Sequence, residues 1–271
     1  MRKIISIIFL IFCVGYFLTL IGPAISNDLT GTFKPHSIPN DYADFNKFVE
    51  NQDDFFRTLW IPTIQRYGYF SESHPAITGE YIFKTLDLKK QLALLNSPET
   101  EKLFQESGIK YVVVPFDSEG EIFLNDRKYD DNIYKSAVKS LEEITWLKGL
   151  PSFGKIKIFQ VPNPEEHIWS PSKNLKLTYS TISPVEYKIE VKGVENGDRI
   201  VFSEAFDKNW VMKGSNFLIR SKPYDRLFNS FSLARSGSYQ ASIIYEPQNW
   251  ITKGFAVSFG ALIAILFLLI K

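Results

Sequence analysis

The chain has 271 residues, with 31 Lys plus Arg against 30 Asp plus Glu and a formal net charge of +1. That balance excludes a nucleic-acid binder of the basic-patch kind. With 45% hydrophobic and 15% aromatic residues, a disordered chain is excluded as well. The charge is unevenly spread, because residues 4 to 27 and 254 to 270 carry none.

Residues 4 to 22 read IISIIFLIFCVGYFLTLIG. As a helix this run crosses most of a bilayer core about 30 Å thick, which makes it a candidate transmembrane segment (residues 1–27 with its flanks). A cleavable signal peptide is the rival, since Arg2 and Lys3 form a basic start and Ala24, Ile25 and Ser26 make a tolerable cleavage pattern. The run nevertheless exceeds the roughly 7 to 15 apolar residues of an ordinary signal.

Residues 28–164 are expected to form a small α/β layer domain, with helical and strand patterns alternating from about 39 to 161. Asn40 can cap a helix carrying Tyr42, Phe45, Phe48 and Val49 at helical spacing. Arg57 to Pro62 (RTLWIP) reads as a short strand, and a loop rich in Tyr, Ser and Gly runs on to Gly79. Residues 83 to 95 return to helical spacing through Leu86, Leu92 and Leu95. Ser97 and Pro98 open the next helix as cap and first residue, Leu103 and Phe104 supply its buried face, and Gly108 ends it in a left-handed conformation. Ile109 to Pro115 (IKYVVVP) suits a strand covered on both faces. An amphipathic helix over 130–144 and an alternating strand over 155–161 complete the unit.

From 165 to 249 the helical period vanishes and an antiparallel β-sandwich is expected, so the fold class is α+β. Val185, Tyr187, Ile189 and Val191 alternate with charged residues, and turns at Asn196 to Asp198 and Asp207 to Asn209 bound a strand from Arg199 to Phe206. A last strand spans Ser238 to Tyr245, ended by Pro247. Residues 250–271 then hold a second candidate span, GFAVSFGALIAILFLLI, flanked by Trp250 and Lys271.

Arg2, Lys3 and Lys271 place both ends in the cytoplasm by the positive-inside rule, and Lys253 lies on the wrong side of it. The expected product is a two-span membrane protein with an extracytoplasmic body over 28–253, where all 30 acidic residues lie. The single cysteine, Cys13, is inside the first span, so the body has no disulfide.

The three histidines, His36, His74 and His167, have no short mutual spacing, and no cysteine accompanies them outside the first span. A zinc site is therefore not expected, and no cofactor is implied. No Gly-x-Ser-x-Gly elbow, phosphate-binding glycine loop or His-Glu-x-x-His occurs. The pairs Asp53/Asp54 and Asp130/Asp131 are adjacent, so their side chains diverge on a helix. Aromatic residues are the better candidates for binding: Trp60, Tyr67, Tyr69 and Phe70 cluster in LWIPTIQRYGYF, and Trp210 follows a turn. Such rings fit sugars, although most rings of this kind pack in a core or an interface.

Taken in order, the first span, Asn40 to Tyr42, RTLWIP, SGIKYVVV (107–114), IKIF (156–159), SEAFDKNW (203–210), Tyr245 to Pro247 and the Gly-led span are similar to the external C-terminal region of YfhO-type and arabinofuranosyltransferase-like membrane proteins. The resemblance implies a bacterial cell-envelope setting and relatives of GT-C glycosyltransferases that use polyprenyl-phosphate sugars. It implies no catalytic residue here. The family's acid follows its first span, whereas the span before Asp28 resembles a late one, and the polytopic core is not expected in this chain. The resulting expectation is an accessory or carbohydrate-binding component, with Trp60, Tyr67, Tyr69 and Trp210 as contacts. Its expected partners are the lipid bilayer, a polytopic glycosyltransferase subunit and envelope glycan. The alternative is a glycan-modifying hydrolase or transferase using Asp117 and Glu119, which follow the strand ending at Pro115.

Overall fold

The computed structural model describes residues 2–26, 38–64, 67–85, 87–116, 131–233 and 235–270. Asp28, His36, Asp117, Glu119 and Asp130 lie outside the described residues. The architecture is α+β, with helices and several antiparallel sheets.

Helix α1 (Arg2–Ile25) comes first, followed by α2 (Asn40–Glu50), β1 (Arg57–Trp60) and β2 (Ala76–Thr78). Then come α3 (Gly79–Phe83), α4 (Leu88–Leu95), α5 (Pro98–Glu106), β3 (Ile109–Val114), α6 (Asp131–Glu142), β4 (Lys148–Gly149) and β5 (Lys157–Gln160). The five strands form one sheet in the order β2-β1-β3-β5-β4, parallel from β2 through β3 and antiparallel beyond.

The β-branched run of β3 is buried on both faces, and from Tyr111 on alternation divides it. Ile109, Val112 and Val114 join Phe104, Ala137 and Leu141 on the side of α5 and α6. Tyr111 and Val113 join Tyr42, Phe45 and Val49 of α2 on the other. Of the helical pattern expected over 83–95, only Leu88–Leu95 forms a helix beyond Phe83, where α3 ends. Lys84 turns left-handed at φ 54° and ends α3. The Asp87 carboxylate then accepts from the Lys89 N–H at 3.0 Å and restarts the chain as α4. Ser97 occupies the cap position of α5, but its hydroxyl bonds the Glu99 carboxylate rather than a helix N–H.

The second half holds β6 (Ile168–Trp169), β7 (Lys176–Ser183), β8 (Glu186–Val194), β9 (Arg199–Ala205), β10 (Trp210–Lys213), β11 (Leu218–Arg220), β12 (Lys222–Tyr224), β13 (Phe228–Ser232) and β14 (Gly237–Tyr245). They make two antiparallel sheets, β11-β10-β14-β8-β7 and β12-β13-β9-β6. Inward residues of the first, among them Tyr187, Ile189, Val191, Met212 and Ile243, share one core with Ile200, Phe202 and Phe231 of the second. The two sheets therefore face each other as a sandwich.

A smaller apolar cluster ties the halves together, with Leu103 of α5 against Trp169, Val201 and Phe228. Beside it the Glu165 N–H donates to the Gln105 carbonyl at 2.9 Å, and the Tyr224 hydroxyl to Glu106 at 3.1 Å.

Helix α7 (Gln248–Ile270) follows β14 after only Glu246 and Pro247. Apart from the half-buried Cys13, the described large apolar side chains of α1 and α7 are exposed, among them Phe9 at 66% and Phe255 at 72%. Among the described residues no helix is long and apolar enough to cross a membrane, so membrane insertion is not shown.

Candidate functional site

A cleft of about 940 Å³ lies where the two halves meet. One wall comes from the segment before β1 (Asp53, Asp54, Phe55) and the loop before β2 (Ser71, Glu72, Ser73). The other comes from the sandwich, with Glu166, His167, Tyr179, Tyr187, Glu204 and Trp210. The cleft thus faces the N-terminal ends of the parallel strands, the edge opposite the one where Asp117 and Glu119 were expected to act.

Its floor is a buried polar network that joins the halves. Arg57, the first residue of β1, donates through Nη1 to the Ser107 carbonyl at 2.6 Å and to Ser203 Oγ at 2.8 Å. Nη2 donates to Glu204 Oε1 at 2.7 Å. The same carboxylate oxygen lies 2.9 Å from His167 Nε2, and His167 stacks on Phe55 at 4.0 Å between ring centroids. Arg57 also lies over the Phe55 ring, at 5.0 Å. Gly108 makes this approach possible: at φ +66° it ends α5 and presents its carbonyl to the Arg57 N–H at 2.7 Å.

Burial sets the electrostatics of this network. It lowers the pKa of Arg57, although Glu204 pulls the other way. Burial likewise holds His167 below its ordinary value of 6.5, against the opposing hydrogen bond from Glu204. For Glu204, burial alone would raise the pKa, but the His167 hydrogen bond and the Arg57 charge outweigh it and the carboxyl is lowered. The side chain of Glu204 is 40% exposed and that of Arg57 8%, so the acid is the member of the pair that meets the cleft. Burial raises Tyr187 to about 12, and raises Tyr179 further, so both stay protonated hydroxyls at neutral pH.

A second polar group occupies the opposite wall. Ser73 Oγ and Ser71 Oγ lie 3.2 and 3.4 Å from His74 Nδ1, and His74 Nε2 lies 3.1 Å from the Asp54 carbonyl oxygen. Lys110 neutralises the Asp54 carboxylate at 2.7 Å.

Of the aromatic residues singled out from the sequence, Trp60 is fully buried, its Nε1 donating to Thr58 Oγ1 at 2.9 Å. No face of that ring is open to a ligand. Tyr67 and Tyr69 are half-buried against the α2 side of the first sheet, away from Trp210. Trp210 is 8% exposed, packs on Phe202 and Tyr245, and still lines the cleft. The cleft therefore brings together only one of the four. The polar lining groups His167, Tyr179, Tyr187 and Glu204, and the buried Arg57 that holds Glu204 from beneath, carry no local motif. Only a charged residue opening an apolar strand, Arg57, was a visible signal. Among the described residues no cluster of three or more metal-ligating side chains occurs. Compared with known proteins, the chain matches no family model, no curated protein and no solved structure.

Proposed function

We propose that the chain is a membrane-anchored, extracytoplasmic carbohydrate-binding component of a glycosyltransferase-like system for envelope glycan assembly, and that glycan sits in the cleft between its halves. The observation that carries this reading is the composition of the cleft. Phe55, Tyr179, Tyr187 and Trp210 supply ring faces and edges for sugar C–H groups. Asp53, Glu72, Glu166 and Glu204 supply acceptors for sugar hydroxyls. With carboxylates dominating its rim, the cleft suits a neutral glycan over an anionic one.

Anchoring is supported by α1 and α7, whose described large apolar side chains are exposed. It is also supported by Trp250, 73% exposed at the base of α7 with Lys253 4.9 Å over its ring, an arrangement suited to a headgroup layer. The resemblance of the segment order to that of YfhO-type proteins supports the glycan setting.

Retention of purified full-length chain on immobilised envelope glycan tests the binding. Glu204→Gln and Tyr179→Phe should weaken it while leaving the folded signal intact. Unchanged retention in both variants would remove the cleft from the reading. For topology, Cys13→Ser combined with Ser215→Cys should react with an impermeant maleimide on intact cells. Reaction only after lysis would show the body to be cytoplasmic.

A further inference from the structure

The hydroxyl and imidazole groups on the α/β wall of the cleft form one connected cluster, in which the partner of Nε2 fixes which ring nitrogen accepts. The Asp54 carbonyl can only accept, so His74 Nε2, 3.1 Å away, carries the ring proton and Nδ1 is left as a bare acceptor. Ser71 Oγ already accepts from the His74 backbone N–H at 3.0 Å, so its own hydrogen is free for Ser73 Oγ at 3.1 Å. Ser73 then donates to Nδ1 at 3.2 Å. Ser71 Oγ also reaches Nδ1, at 3.4 Å, and Ser73 is the hydroxyl with the shorter contact to the ring.

Position adds to direction. His74 is buried, 3% exposed, against Phe56 and Tyr69, whereas Ser73 is exposed and lines the cleft. The loop is pinned to β1, since Phe56 N–H donates to the Ser73 carbonyl at 3.2 Å and Thr58 N–H to that of Pro75 at 3.0 Å. A hydroxyl held on a basic ring nitrogen, with the ring oriented by a third group, is the arrangement that activates a serine nucleophile.

We propose that Ser73 and His74 are a nucleophile and general base, and that the cleft carries out acyl transfer on an uncharged ester. Ser73 Oγ attacks the carbonyl carbon as its proton passes to His74 Nδ1. The bond to the alcohol oxygen breaks, and that oxygen leaves with the proton. Water then attacks the acyl-serine, again through Nδ1, and releases the carboxylic acid with the serine hydroxyl restored. Burial holds the His74 pKa below 6.5, against the opposing Asp54 carbonyl hydrogen bond, so the ring is in its basic form at neutral pH. The nearby charges are Asp54 and Lys110, which pair with each other at 2.7 Å. The acidic rim of Asp53, Glu72 and Glu166 disfavours anionic esters and helps expel the carboxylate product.

This activity goes beyond glycan binding, and its test uses no sugar. Full-length chain in detergent is treated with a fluorophosphonate, and the adduct is located by peptide mass spectrometry. Hydrolysis of p-nitrophenyl butyrate is followed in parallel. The expected result is one adduct, on Ser73, formed by the folded chain and not by the heat-unfolded one. Ser73→Ala should lower ester hydrolysis about 100-fold, in line with loss of an activated nucleophile. Because His74 is buried and its substitution risks unfolding, the base is tested by pH: the labelling rate should fall steeply below a midpoint under 6.5. Absence of an adduct on Ser73, equal labelling of the unfolded chain, or a rate that ignores pH through that range would overturn the proposal.

Discussion

Replacing Arg57 by methionine keeps a long apolar stem against Phe55 and removes the guanidinium that joins the two halves. Three hydrogen bonds go with it, to the Ser107 carbonyl, Ser203 Oγ and Glu204 Oε1. Breaking a buried ion pair from one side costs about 3 to 5 kcal/mol. Glu204 is 40% exposed and keeps its His167 contact, so rehydration recovers part of that loss. The expected destabilisation is therefore at the low end, about 3 kcal/mol. Glu204→Gln should cost less, about 1 to 2 kcal/mol, because the amide oxygen can still accept. Since the two residues touch, the double variant should be less destabilised than the sum by about 1.5 kcal/mol. Urea unfolding of the full chain in detergent, followed by tryptophan fluorescence, measures all three. Arg220→Met is the internal control, because Arg220 is 60% exposed and pairs with Glu246 on the surface. It should change stability by less than about 1 kcal/mol. A coupling between positions 57 and 204 of under about 0.5 kcal/mol would refute the view that this pair joins the halves.

Acid should destabilise the protein in a window set by its buried histidines. His74 and His167 are both held below 6.5, so the unfolded chain binds more protons as pH falls through that value, and stability is lost until the folded-state pKa values are passed. Glu204, also lowered, adds loss in the same direction at still lower pH, and a thermal midpoint that does not move between about pH 7.5 and 5 would contradict this. Trp210→Ala should cost about 3 to 5 kcal/mol by chemical unfolding, since the ring is nearly buried between Phe202 and Tyr245; a loss under about 1 kcal/mol would make it a surface contact. Gly108→Ala should cost about 1 to 2 kcal/mol for the left-handed backbone, and more for a Cβ placed 3.0 Å from the Glu165 carbonyl oxygen; calorimetry showing no change would mean the junction gives way there.

Local chemistry in the chain determined most elements of the first half. Pro98 and Gly108 bound α5 because a residue without an N–H and a residue free to turn left-handed act within one helical turn, while Ser97 holds the cap position without its side chain capping. The run IKYVVV announced β3, and the alternation from Val185 to Val191 announced β8, because side-chain period and burial are read along a single strand. The break between α3 and α4 leaves little trace in the sequence, since Asp87 competes as a cap inside a pattern that also fits one helix. Short strands such as β11, β12 and β13 have little period to read, and they form because Phe231 and its neighbours find partners across the sheet. The site depended on tertiary structure almost entirely. Arg57 and Glu204 are 147 residues apart, and Trp60 and Trp210 look alike along the chain although one is sealed in a core and the other borders the cleft. Whether a ring or a charge becomes core, junction or binding surface is decided by what the opposite half of the molecule places against it, and that is a property of the fold's packing that no local pattern carries.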